Sequence, residues 1–102
     1  MTQYNKLVRD LIPHIIRQGG ETPYTRVLNQ EEYVHALSEK LQEEVLEFRD
    51  SHDPEELADI LEVVYALART QNLRPSDLER LRQRKRHQWG GFEGRIFLVG
   101  KE

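Results

Sequence analysis

The amino-acid sequence predicts an all-α protein: a helical bundle with a short extended segment near its N-terminus and a short strand near its C-terminus. Three observations lead to this fold class. Apolar residues between positions 30 and 70 recur every three or four residues, which is the spacing of two amphipathic helices. Helix-starting residues precede both patterns, and a basic helical pattern follows them. With 102 residues, the chain is expected to form one domain, residues 1–102.

Composition and charge exclude several classes of protein. The net charge of −3 is close to balance, so it gives no general reason to expect binding to a nucleic acid or a membrane surface. The chain has no cysteine, and therefore neither a disulfide framework nor thiol chemistry. Its first residues are polar, without an apolar signal region, and no apolar run approaches the length of a membrane span. We therefore expect a cytoplasmic protein.

The first predicted helix covers residues 13–18 and follows a loose turn over residues 5–11. Pro13 suits the first turn of a helix, and Gly19 is typical of the position just past a helix end. Residues 21–28 are expected to be extended, because they combine a proline with aromatic and β-branched side chains.

Two long helices are predicted next, over residues 30–50 and 54–70. Asn29 caps the first of them, and Glu32, three residues later, completes a capping box. Asp53 caps the second, and a proline follows at its first helical position. The apolar stripes are formed by Val34, Leu37, Leu41, Val45 and Phe48 in the first helix, and by Leu57, Ile60, Leu61, Val64, Leu67 and Ala68 in the second.

A third long helix is predicted over residues 75–88, ended by Gly90 and Gly91. The sequence after it, residues 92–99, has the composition of a short strand that can pair with residues 24–28. This helix is strongly basic, and its cations are either solvated or bind phosphate. The run is short and has no aromatic platform, so RNA is the less favoured ligand. The basic residues are Arg80, Arg82, Arg84, Lys85, Arg86 and His87.

Four carboxylates mark the candidate site. Residues three apart share one face of a helix, so Glu44 and Glu47 converge, as do Glu56 and Asp59. If the two long helices pack antiparallel, the four acids meet, and like charges at that distance repel unless a cation lies between them. All-oxygen ligation favours Mg²⁺, with Mn²⁺ as the other candidate. The simpler alternative is two acidic helix faces in water, and the helix start alone explains Glu55.

This acidic pattern resembles the EExxE…ExxD signature of the all-α nucleoside triphosphate pyrophosphatases. That superfamily includes MazG, the dimeric dUTPases and phosphoribosyl-ATP pyrophosphohydrolase. The flanking residues 5–13, NKLVRDLIP, and 90–96, GGFEGRI, are similar to a small stand-alone branch of predicted house-cleaning members. Two departures stand out. Only eight residues separate Glu47 from Glu56, fewer than is usual in MazG, and Trp89 occupies a position where a basic residue is expected.

The resemblance implies a MazG-like bundle and a Mg²⁺-dependent hydrolysis of a nucleotide to its monophosphate and pyrophosphate. The resemblance assigns metal binding to the four acids of the motif, and it assigns the orientation of the attacking water to Glu47. Lys85 and Arg86 on the basic helix are assigned to the substrate phosphates. Lys6 and Arg9 near the N-terminus fit a phosphate contact too, although a structural salt bridge across the N-terminal segment is the favoured explanation.

A homodimer or higher homo-oligomer is also predicted. The second long helix is apolar over more than half of its circumference, since Val63, Tyr65 and Ala66 lie outside its main stripe. We expect a four-helix core made of residues 30–50 and 54–70 from two copies. The alternative to an enzyme is a non-catalytic dimeric interaction module that keeps this fold but has a degenerate site.

Overall fold

The computed structural model describes all residues from Met1 to Glu102 and contains four α-helices and no strand. The all-α prediction is therefore confirmed, and each long helix begins and ends within one residue of its predicted bounds. The helices are α1 (Ile12–Gln18), α2 (Gln30–Ser51), α3 (Pro54–Thr70) and α4 (Pro75–Trp89). None of them combines the length and the apolar run that a bilayer span requires.

Local hydrogen bonds explain where α2 and α3 begin and end. The Asn29 side chain accepts a bond of 2.9 Å from the Glu32 backbone N–H, and the Glu32 carboxylate accepts one of 3.1 Å from the Asn29 backbone N–H. This is the predicted capping box. His52 adopts a left-handed conformation (φ 55°) that ends α2. The Asp53 carboxylate then caps α3 by accepting a 2.9 Å bond from the Glu55 backbone N–H.

The short connection folds α2 and α3 into an antiparallel hairpin. Leu37, in the first half of α2, packs with Val63 and Ala66, in the second half of α3. The core cluster of the protein consists of these three buried residues and the half-buried side chains packed against them: Leu7, Tyr33, Leu41 and Leu67. Because Leu7 belongs to this cluster, the N-terminal segment lies against the hairpin.

The remainder of the chain leaves an unusually large surface exposed. Helix α4 has no buried residue and contacts only α3 among the helices. The radius of gyration is 17.9 Å, whereas a compact domain of this length has roughly 13 Å. The accessible surface is 9477 Å², although a folded monomer of 12.1 kDa is expected to expose about 6,000 Å². All the buried residues of the single chain thus belong to the hairpin.

The predicted C-terminal strand is wrong for the single chain. After α4 the backbone makes one turn, in which the Arg95 N–H donates to the Phe92 carbonyl at 3.1 Å, and residues 95–100 then form no helix or strand. A strand requires a neighbour for its ladder of hydrogen bonds, and the chain places none beside this segment. Residues 24–28, the expected neighbour, are likewise unpaired.

Candidate metal centre

Three of the four predicted acids meet between α2 and α3. Glu44, Glu56 and Asp59 each offer one carboxylate oxygen, and the three oxygens lie within 4.8 Å of one another. Two features of the sequence bring them together. The three-residue spacing puts Glu56 and Asp59 on one face of α3, and the antiparallel hairpin brings the end of α2 against the start of α3.

Glu44 is the only buried charged residue of the protein, with 7% of its surface exposed. One of its carboxylate oxygens lies 3.4 Å from the Lys40 ammonium nitrogen. The other, Oε2, has no hydrogen-bond partner, and neither does the buried Oε2 of Glu56. Such atoms are costly to leave unpaired in a protein interior. Two unsatisfied carboxylate oxygens in one cluster fit the all-oxygen ligand set of Mg²⁺ or Mn²⁺.

The cluster changes the acid–base behaviour of Glu56. Its partial burial, followed by the negative charge of Glu47 and by the nearby Glu44 and Asp59 carboxylates, raises the pKa of Glu56 from 4.5 to about 7. Neighbouring carboxylates favour a shared proton, since two ionised oxygens can only accept hydrogen bonds. In the absence of a cation, Glu56 is therefore partly protonated at neutral pH.

Glu47 lies at the solvent side of this cluster. Its side chain is exposed, and it does not belong to the group of three whose ligand atoms converge. It nevertheless lies close enough to Glu56 to raise the pKa of that carboxyl group. The structure thus brings three predicted ligands together and leaves the fourth beside them, open to water.

Three cations surround the acids. Arg9 donates from Nη2 to Oδ1 of Asp59 at 2.6 Å, and the Lys6 ammonium lies 3.8 Å from the carboxylate of Glu43. Both predicted N-terminal cations therefore reach the rim of the site. Lys40 is the residue that the sequence analysis missed: it lies within 3.6 Å of Glu43 and 3.4 Å of Glu44. Its spacing of four residues before Glu44 on one helix was the available signal.

The basic helix α4 is not joined to these acids by any ion pair. Arg86 pairs with Glu93 at 3.0 Å, just beyond the end of its own helix. The Lys85 ammonium has no acidic partner and lies 5.8 Å from the centre of the Trp89 ring, within cation–π range. A shallow, open depression on this helix is lined by Arg82, Gln83, Arg86 and His87. Within one chain, the predicted phosphate-binding cations of α4 therefore form no ion pair with the acidic cluster, unlike Arg9.

Comparisons with known proteins identify one similar sequence without a described activity. The chain is 54% identical to an uncharacterized protein of Mycolicibacterium smegmatis over 44 residues. The match covers 43% of this chain and 45% of that protein, so it spans less than half of either. No family profile matches the chain, and no solved structure does.

Proposed function

We propose that this protein is a Mg²⁺-dependent nucleotide pyrophosphohydrolase of the MazG-like, all-α type. Its reaction would convert a nucleoside triphosphate, or a phosphoribosyl-ATP-like nucleotide, to the monophosphate and pyrophosphate. The observation that carries the proposal is the convergence of Glu44, Glu56 and Asp59 within 4.8 Å. Two of their oxygens are buried and without partners, and all three acids belong to the motif that resembles this superfamily.

The acids have distinct parts in this reaction. Glu44, Glu56 and Asp59 would hold the cation, and Glu56 would lose its proton as the cation binds, because ligation favours the ionised form. The bound cation supplies neutralisation of phosphate charge and a lower pKa for a ligated water. Glu47, which is exposed and next to Glu56, would accept a hydrogen bond from the attacking water and so orient it.

The cations at the rim supply contacts for an anionic substrate. Arg9 presents a guanidinium at the edge of the acidic cluster, where it binds Asp59. A guanidinium can contact two oxygens of one phosphate at once, and the Lys6 ammonium adds a mobile point charge. A triphosphate that approached the acids would therefore meet both cations.

The second candidate is the non-catalytic dimeric interaction module. It is favoured by the same ion pairs, since Arg9 already neutralises Asp59 and Lys40 already lies beside Glu44. In that case the acids would serve only the fold. A titration of thermal stability with Mg²⁺ at constant ionic strength separates the two functions, because a ligand that binds only the folded state stabilises it.

The direct test is a pyrophosphate-release assay with Mg²⁺ over a panel of nucleotides that includes dUTP and phosphoribosyl-ATP. The matched pair of variants is Glu44→Gln, inside the cluster, and Glu62→Gln, on the exposed side of α3. The enzyme proposal expects release by the wild type and by Glu62→Gln, and a loss with Glu44→Gln. Equal release by both variants, or none by the wild type on the whole panel, would contradict it.

A further inference from the structure

Two segments of the chain have no partner for their backbone. The N-terminal segment of residues 22–28, predicted to be extended, and the C-terminal arm, residues 95–100, contain neither helix nor strand. Apart from the turn that Arg95 closes with Phe92, their N–H and C=O groups form no hydrogen bond within the chain. A row of free backbone groups in an extended segment is a template for pairing with another chain.

The side chains of both segments are apolar and uncovered. Val27 is 97% exposed in the extended segment, and Ile96, Phe97 and Val99 are 91%, 88% and 94% exposed in the arm. In extended backbone, successive side chains point to opposite sides. Once the arm pairs as a strand, the four consecutive apolar residues at positions 96–99 place apolar side chains on both of its sides, and all four are exposed in the single chain.

The amount of uncovered surface indicates an extensive interface. The chain exposes 9477 Å², which is roughly 3,500 Å² more than expected for a folded monomer of its mass. A standard interface buries only about 800 Å² on each partner, and obligate homodimers bury more. The excess thus exceeds what one small ligand or one short peptide could cover.

Charge complementarity points to a second copy of this chain as the partner. Residues 30–70 contain twelve acidic and three basic residues, whereas residues 74–102 contain eight basic and four acidic ones. No ion pair joins these two regions within the chain, since the cations of α4 pair with acids on α4 or with Glu93. In a symmetric pair, the basic C-terminal region of each copy can face the acidic hairpin of the other.

Local structure sets the direction in which the arm leaves α4. Gly90 has a φ of 83°, in the region that favours glycine, and Arg86 then holds Glu93 in an ion pair of 3.0 Å. A Cβ at Gly91 would collide with both side chains of that pair. The arm therefore starts from a defined turn and still ends exposed, which is the behaviour of a segment whose contacts lie outside its own chain.

We propose that the C-terminal arm is exchanged between two copies: residues 95–100 of one copy lie along residues 22–28 of the other, and the reverse contact forms by symmetry. This arrangement pairs the backbone groups on the facing edges of the two segments and brings Val27 of one copy beside Phe97 of the other. It goes beyond the proposed function and does not depend on it. The single chain lacks the neighbour that this contact needs, and the second copy supplies it.

Single cysteines test the exchange directly, because the chain has none of its own. Chains carrying Phe97→Cys are mixed with differently tagged chains carrying Val27→Cys and treated with a short thiol–thiol cross-linker. Each chain has one thiol, so a product of mixed tags is necessarily intermolecular. The matched control replaces Val27→Cys with Glu62→Cys, on the exposed side of α3. We expect the Val27 pair to give several-fold more mixed product.

Light scattering on the full chain supplies the second measurement. The wild type is expected to be at least a dimer at micromolar concentration, and Ile96→Asp/Leu98→Asp to shift it toward the monomer. Lys101→Asp, which changes the charge by the same amount without removing an apolar group, is expected to remain a dimer. Circular dichroism verifies that each variant keeps its helices.

Three results would overturn the exchange. They are a monomeric wild type, a mixed-product yield no higher than the Glu62→Cys control, and cross-linking of Val27→Cys/Phe97→Cys within a monomer. None of these measurements involves hydrolysis, so the exchange and the proposed activity fail or hold separately.

Discussion

The α2–α3 hairpin differs in burial and in charge from the C-terminal region, which consists of α4 and the arm. All five buried residues of the protein belong to the hairpin, including the buried Glu44, and it is strongly acidic. The C-terminal region is basic, has no buried residue and makes its ion pairs locally. Packing against a second helix is therefore what buries Glu44 and raises the pKa of Glu56, whereas the cations of α4 stay exposed and form only local ion pairs.

The largest effect is expected from removing a candidate metal ligand of the hairpin. Glu44→Gln and Asp59→Asn are each expected to reduce hydrolysis by roughly a hundredfold or more, because each removes a ligand from a cation site. The metal-free fold should persist, since both changes relieve repulsion among the acids. Activity is followed by pyrophosphate release and stability by thermal denaturation. Near-normal activity of both variants would mean that the acids of the hairpin are not needed for hydrolysis.

The next prediction concerns α4. Lys85→Ala is expected to weaken nucleotide binding about ten- to a hundredfold, or about 1.5–3 kcal/mol, if Lys85 contacts a phosphate. Arg82→Ala is the control, because Arg82 already pairs with Glu79 at 2.5 Å while Lys85 has no acidic partner. Calorimetric titration measures both. Equal, small losses would mean that α4 contributes only diffuse positive charge.

The third prediction concerns the pH dependence of stability, which Glu56 of the hairpin is expected to affect. The folded-state pKa of Glu56, about 7, lies above its ordinary value of 4.5. The folded protein therefore holds this proton more tightly than the unfolded chain does. The resulting stabilisation is complete below about pH 4.5 and is lost as the pH rises through about 7.

Thermal denaturation between pH 4.5 and 8 checks this sign. In metal-free buffer, Glu56→Gln should be less sensitive to pH across that range than the wild type. Addition of Mg²⁺ should also reduce the dependence, because a cation at the cluster replaces the proton. A melting temperature of the wild type that rises between pH 5 and 7, relative to Glu56→Gln, would contradict the assignment.

The smallest effects are expected from substitutions at the start of α2 and just after the end of α4. Asn29→Ala removes the cap of α2 and is expected to cost about 1 kcal/mol, a fall of about 4–8 °C in melting temperature. Gly91→Ala displaces the exposed Arg86–Glu93 pair and should lower the melting temperature less than Asn29→Ala, because exposed ion pairs contribute little. Calorimetry on both variants tests whether stability resides in the hairpin. A larger loss from Gly91→Ala would place it in the C-terminal region instead.

The helices were predictable because their signals are local. Asn29 with Glu32, and Asp53 before Pro54, form caps within a few residues of one another, and these caps fixed the ends of α2 and α3. The candidate site was predictable in part for the same reason, since helical periodicity put Glu56 and Asp59 on one face. That periodicity did not reveal that Glu44 is buried while Glu47 stays in water.

The sequence by itself determined the all-α class, the bounds of the long helices and the shared face of Glu56 and Asp59, because hydrogen bonds and side-chain spacing within a few residues decide these. Only the tertiary structure decided that Arg9 binds Asp59 across fifty residues of chain, that Lys40 joins the cluster and that residues 95–100 have no neighbour in the chain. Contacts between residues far apart in the sequence depend on how the helices pack. The strand prediction failed for that reason, since extended backbone becomes a strand only beside a partner.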